Sequence, residues 1–261
     1  MIYALNVANE PYRNAQKFNT KTAYRYGADK VFEFSLSDID AEFAEKNRRI
    51  LNLKRGAGYW LWKPYFINRV MQSANDEDWI IYSDSGMVYR KRIDKYIAEL
   101  EKKGIHFISR CTKFQEKQFT KRDVFIELGC DQPEYTDTLQ RAASAIVLKN
   151  TENNRKFVGE WLDKAQNYHW ITDDSNRDGL PNYNEFTDHR HDQSIFSLLC
   201  KKYNKDYNRN LFLDMVLPLK NKALLSDHHS KSGNYVLAYT ASIKRNIIVI
   251  YHILVSKISR K

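Results

Sequence analysis

Short apolar runs alternate with amphipathic stretches through the first half of the chain. Ile2–Val7 has the length and apolar content of a buried strand and is closed by the turn-forming Asn9-Glu10-Pro11. It starts almost at once, without the charged-then-apolar pattern of a secretory leader. A polar, helix-compatible stretch runs to about Tyr26. Gly27-Ala28-Asp29 breaks it before a second strand, residues 30–35. Ser37-Asp38-Ile39-Asp40 reads as a helix start, and that helix is expected to reach about Leu53, ended by Gly56-Ala57-Gly58. Pro64 is tolerated in the first turn of a further helix containing Tyr65, Phe66, Ile67 and Val70. Trp79-Ile80-Ile81-Tyr82 is a strand-like run into Ser83-Asp84-Ser85-Gly86. Ile93, Tyr96, Ile97 and Leu100 fall at i, i+3, i+4 and i+7, with Gly104 as the stop. Ile105 to Ile108 is one more strand.

This alternation predicts an α/β domain with a mostly parallel, Rossmann-like central sheet and helices on both faces. Ligands of such sheets sit at the carboxyl ends of the strands. The second half is less regular. A strand is expected over residues 142–148, a helix over residues 153–166, a long polar loop from about Thr172 to His191, and a helix from about Asp192. A loop after Pro218 holds Asp227-His228-His229-Ser230-Lys231-Ser232-Gly233.

Composition narrows the classes. The 261 residues suffice for a real core, and 43% hydrophobic with 28% charged residues is ordinary for a globular protein. The 17 Tyr and 5 Trp suit either an aromatic core or stacking on rings. A net charge of +10 attracts polyanions or phosphorylated substrates, but it is spread along the chain without zinc-finger spacing, so no nucleic-acid partner is expected. Cys111, Cys130 and Cys200 make neither a metal spacing nor a disulfide framework, which fits a cytoplasmic protein.

Asp84 follows four strand residues, so its carboxylate is expected in the ligand crevice, with Gly86 allowing close approach. Gly58-Tyr-Trp-Leu-Trp-Lys-Pro-Tyr65, the Asp84 segment and His189-Arg-His-Asp-Gln-Ser-Ile-Phe-Ser-Leu-Leu199 together resemble bacterial surface-polysaccharide glycosyltransferases of the GT-A fold, over roughly residues 56–199. The resemblance implies a nucleotide-sugar donor, a UDP-sugar first among them, and a saccharide or lipid-linked acceptor. It also implies Mn²⁺ or Mg²⁺ on Asp84. Gly86 stands where the family's second carboxylate falls, which leaves open a single-carboxylate metal site with further ligands from His228 and His229, or a metal-independent enzyme. Asp192-Gln193 is similar to the Asp-Gln-Asp segment of retaining glycosyltransferase family 8, which implies a catalytic or sugar-contacting role for both. Asp192 also reads as a plain N-cap. The late loop matches that family's His-x-x-Gly-x-x-Lys only loosely, with Lys231 before the glycine.

The expected donor and phosphate set is thus Asn6, Arg55, Lys63, Asp84, Ser85, Gly86 and Lys231; Trp62 and His191 are expected at the sugar or acceptor. Residues 174–185 fit the calcium-loop formula Asp-x-Asn-x-Asp-Gly-x5-Glu, although Pro181 takes its eighth position; an acceptor-side loop is the alternative. The last segment, residues 241–261, is set apart from the domain of residues 1–240. Its apolar run between basic ends suits a C-terminal basic amphipathic helix on the inner face of the plasma membrane, a docked helix, or a dimer contact. Two rival functions are a non-catalytic carbohydrate-binding relative and a basic nucleic-acid-binding protein.

Overall fold

The computed structural model describes residues 1–208, apart from Arg90, and residues 224–226. The expected C-terminal helix, the 240/241 boundary, and His228, His229 and Lys231 lie outside the described residues. One six-stranded sheet forms the middle layer. Its strands are β1 (Ile2–Val7), β2 (Lys30–Phe34), β3 (Trp79–Ser83), β5 (Phe107–Gln115), β6 (Leu139–Lys149) and β7 (Tyr207–Asn208), in the order β2-β1-β3-β6-β5-β7. A separate short pair joins β4 (Met87–Tyr89) to β8 (Leu224–Ser226). In the large sheet β6 alone runs against the others, so the expected mostly parallel sheet is observed.

Residues of β3 are all buried because both faces of the sheet are covered. Alternation along that strand divides the core. Ile80 and Tyr82 pack on one side with α2 (Trp62–Ser73), α4 (Glu152–Ala165) and α5 (Asp192–Lys202). Trp79 and Ile81 pack on the other side against α1 (Arg13–Arg25) and α3 (Ile93–Lys102). The apolar stripe read from Ile93, Tyr96, Ile97 and Leu100 is the buried face of α3.

Two elements depart from the sequence reading. No single helix runs from Ser37 to Leu53. Asp38 folds back onto the Ser35 amide and hydroxyl, and Asp40 accepts from the Phe43 amide, so the chain makes a short 3-10 turn at Leu36–Asp38 and helices at Ala41–Lys46 and Arg48–Leu51. Residues 56–60 then form a left-handed turn rather than a simple stop, with φ of 57°, 50°, 92°, 51° and 59°. Gly58 is required there: a Cβ would lie 2.9 Å from the Leu51 Cα.

Candidate active site

The carboxyl ends of β1 and β3, the left-handed turn, the bulged end of β5 and the start of α5 enclose a cleft of about 830 Å³. Among the described residues its wall carries six lysine or arginine side chains against three carboxylates, which favours an anionic ligand. Tyr12, Trp60, Trp62, Phe114 and Phe119 add aromatic surface.

Asp84 sits at the floor, where the parallel strands end. Its amide donates to the Ser144 carbonyl and its carbonyl accepts from the Met87 amide, so it opens a tight turn into β4. Asn19 of α1 clamps that turn, donating to the Ser83 hydroxyl at 2.9 Å and the Met87 carbonyl at 2.9 Å. The Asp84 side chain is one-third exposed, and the Tyr82 hydroxyl donates to its Oδ1 at 2.7 Å. Burial, then the charge of Asp84, push the Tyr82 hydroxyl well above its ordinary pKa, so it stays a proton donor.

Lys63 comes up from α2 beneath the floor. Its Nζ lies 3.0 Å from Asp192 Oδ2 and 3.9 Å from Asp84 Oδ1, and the side chain is 6% exposed. Burial alone would lower its pKa, but Asp192 and Asp84 outweigh that and raise it, so the ammonium is kept. Burial has the opposite effect on Asp192: it outweighs the attraction of Lys63 and pushes the carboxyl up to about 6.

Asp192 is not an N-cap. His191 holds that position, and the Asp192 carboxylate turns to Lys63. The His191 backbone, at φ 52° and ψ −120°, is strained for a residue with a side chain. Its ring is held by stacking on Trp60 (5.4 Å between centroids) and by the edge of Tyr59 (4.7 Å). Nδ1 meets the Ile171 carbonyl at 2.9 Å. Burial lowers its pKa to about 4, so the ring is neutral near pH 7. Strained His191 thus packs on the left-handed turn that holds the strained Ala57, Tyr59 and Trp60. Gln193 is fully oriented. Its Oε1 accepts from the Ala143 amide at 3.2 Å, and its Nε2 donates to Gln140 Oε1 at 2.8 Å.

Among the residues expected from sequence, Lys63, Asp84, Ser85, Gly86, Asp192, Gln193, Arg55, Trp62 and His191 all line the cleft. Three have their polar groups engaged elsewhere. The Arg55 guanidinium bridges Asp173 at 2.9 Å and Asp188 at 3.2 Å, fastening the turn to the loop that precedes α5. Trp62 donates its Nε1 to the Gly56 carbonyl at 3.0 Å. His191 is packed as described. Asn6 does not reach the cleft: it lies on the α1 side of β1, fully buried, and its amide donates to Asn19 and Thr20. Sequence reasoning missed Tyr82, Gln140, Asp173 and Asp188. Tyr82 carried no signal beyond its place in a buried strand, and the other three meet their partners only across the fold.

The donor set for a divalent cation is thin. Asp84 is the carboxylate at the floor, Gly86 offers no side chain, and among the described residues no group of three or more His, Cys, Asp or Glu is placed to hold a metal. The described residues therefore do not by themselves fit Mn²⁺ or Mg²⁺. The calcium-loop reading of residues 174–185 meets a similar obstacle. Asp174 faces His169 and Glu185 pairs with Lys117 at 2.9 Å, while the amides of Arg177 and Asp178 donate to Asp123. The carboxylates are turned to protein partners instead of converging. Cys111, Cys130 and Cys200 are free and buried. No helix of the described residues is long and apolar enough to cross a membrane.

No protein-family model matches the chain, and no curated protein matches it. Several solved structures do align with it. Mouse xyloside xylosyltransferase 1 in its apo form is 12% identical, covering 88% of this chain and 98% of that one, with a TM-score of 0.46. A glycosyltransferase involved in glycosylation of the major capsid of PBCV-1 is 10% identical over 88% and 93%, at 0.46. The galactosyltransferase LgtC, in complex with donor and acceptor sugar analogues, is 13% identical over 88% of both chains, also at 0.46.

Proposed function

We propose that this chain is a glycosyltransferase that moves a sugar from a nucleotide-diphosphate donor, most simply a UDP-sugar, to a saccharide or lipid-linked acceptor in surface polysaccharide synthesis. The observation that carries the reading is the Asp84–Lys63–Asp192 group at the floor of a cationic, aromatic-walled cleft at the carboxyl ends of the strands. Leaving-group charge is the main obstacle in such a transfer. Lysines and arginines around a cleft offset it. Asp192 and Gln193 stand side by side at the start of α5. A carboxylate there accepts hydrogen bonds from sugar hydroxyls, and the oriented Gln193 amide oxygen offers a dipole to positive charge developing at the anomeric carbon. Asp84 alone does not make a site for Mn²⁺ or Mg²⁺, so such an ion would need ligands from beyond the described residues, and it would then supply further charge neutralisation on the diphosphate.

A panel of nucleotide-sugars with and without Mn²⁺ or Mg²⁺, read by thermal shift and by slow donor hydrolysis, tests the reading. One donor is expected to stabilise the protein and to be hydrolysed slowly, and Asp84→Ala is expected to lose both responses. If no donor shifts the wild type and Asp84→Ala melts and behaves identically, the reading fails. Gly86 in place of a second carboxylate supports one other reading, a non-catalytic carbohydrate-binding protein. That protein would bind glycans while leaving every donor intact.

A further inference from the structure

The end of β5 is built unlike the rest of the sheet. Cys111 pairs with Arg141 and Gln115 with Leu139, so β5 spends three residues, Thr112, Lys113 and Phe114, where β6 supplies only Gln140. The excess is a bulge, a device that re-aims side chains out of the ladder. The Thr112 hydroxyl closes it locally, accepting from the Phe114 amide at 3.2 Å. The residue facing the bulge is Gln140, whose side chain holds Gln193 at 2.8 Å. The bulge therefore opens on the cleft beside the group proposed to act on the transferred sugar.

It presents an apolar ring and a cation together. Phe114 is 39% exposed and lines the cleft wall. One side of it is backed by Phe119 at 4.8 Å between centroids, and the Arg190 guanidinium covers Phe119 at 4.4 Å. The Lys113 ammonium lies 5.4 Å from the Phe114 ring, and among the described residues it makes no ion pair with a carboxylate. Glu116, just beyond, is fully buried and turned inward to Lys201. Asp188 is taken by Arg55 and Arg190. An exposed ring suits the C–H face of a pyranose, and an ammonium beside it with no carboxylate partner among the described residues suits a carboxylate or phosphate on that sugar.

We propose that the Lys113–Phe114 bulge is the acceptor subsite and that it selects an anionic saccharide. The sugar ring rests on Phe114 and its acidic group on Lys113, and its hydroxyl points toward Gln193 and Asp192. The acceptor role rests on the transferase reading above; the preference for acidic glycans does not.

A glycan array carrying uronic-acid glycans, sugar-phosphate glycans and their neutral parents tests this with the wild type, Lys113→Glu and Phe114→Ala. Thermal shift with nucleotide-sugars runs in parallel as the donor readout. Acidic glycans are expected to dominate the wild-type signal, and each variant is expected to lose about tenfold or more of it. The uronic-acid and phosphate arms separate the two sources of charge. Equal binding of neutral glycans, no glycan binding, or variants that bind as the wild type does each overturn the subsite. A protein that holds acidic glycans through Lys113 and Phe114 but responds to no nucleotide-sugar overturns the transferase reading and the acceptor role, and leaves the anionic-glycan site standing.

Discussion

Among the described residues two lysine–carboxylate pairs are buried, and they are satisfied to different degrees. Glu116 lies in the interior under the cleft and is fully buried. Its carboxylate accepts from Thr120 at 2.9 Å, Gln140 at 3.1 Å and Ser197 at 2.6 Å, and it pairs with Lys201. Asp192, nearly as buried, has the Lys63 ammonium at 3.0 Å and a bond from the Gln193 backbone amide, and among the described residues no hydroxyl or amide side chain donates to it. A buried carboxylate with a full set of donors is finished, since removing it from water has been repaid by hydrogen bonds. One with an ion pair and a single backbone donor still has lone pairs to offer, and its raised pKa registers the shortfall. Glu116 ties β6, the turn after β5 and α5 together, and Asp192 faces the cleft with capacity left for a ligand. The Gln140 amide joins the two systems, since its Nε2 donates to Glu116 and its Oε1 receives Gln193.

Removing one member of each pair exposes the difference. Glu116→Gln should give the largest stability loss, about 3–5 kcal/mol by chemical denaturation, because it strands Lys201 in the interior. A loss below about 1 kcal/mol would make the two pairs equivalent in the fold. Asp192→Asn should show the reverse balance. Its stability loss should be the smaller, since Asp84 still faces Lys63, while donor turnover should fall about a hundredfold or more. Equal losses of stability and unchanged turnover would erase the distinction drawn here.

The next effect is a pH limb. With Asp192 near 6, the rate should fall as pH drops through about 6, and Asp192→Asn should abolish that limb. Its effect on stability has the opposite sign. The folded pKa is raised above 3.8, so the contribution of Asp192 is fully present below about pH 4 and is lost as pH rises through about 6. Denaturation midpoints of the wild type and Asp192→Asn across that window check it. Gln140→Leu should give the smallest change, about 1 kcal/mol in stability and about tenfold in turnover, because it frees the Gln193 amide and removes one donor from Glu116. A Gln140→Leu protein with full turnover would show that Gln193 needs no positioning from the interior.

Legibility followed the range of the interactions. The strand at residues 79–82, the stripe on α3 and the placement of Asp84 at a strand's carboxyl end were readable because short-range periodicity and burial dictate them. Asp192 was readable as a candidate through its neighbours in the chain, but its role as an N-cap or a ligand was not. The helix proposed from Ser37 to Leu53 failed because Asp38 and Asp40 bond to nearby backbone, a competition that helical pattern alone does not reveal. Asn6 looked like a strand-end ligand, yet the face on which it lies is set by the packing of α1 on β1.

The sequence by itself determined the alternation of strands and helices, the buried strand that ends at Asp84 and the supply of cations and aromatics. Those depend on residue type and on spacings of a few positions. Only the tertiary structure decided that Lys63 stands between Asp84 and Asp192, that Glu116 is saturated while Asp192 is not, and that a bulge turns Lys113 and Phe114 into the cleft. Those outcomes join residues up to 129 positions apart, from Lys63 to Asp192, and their energies depend on burial and on donor count, quantities that exist only once the chain has packed.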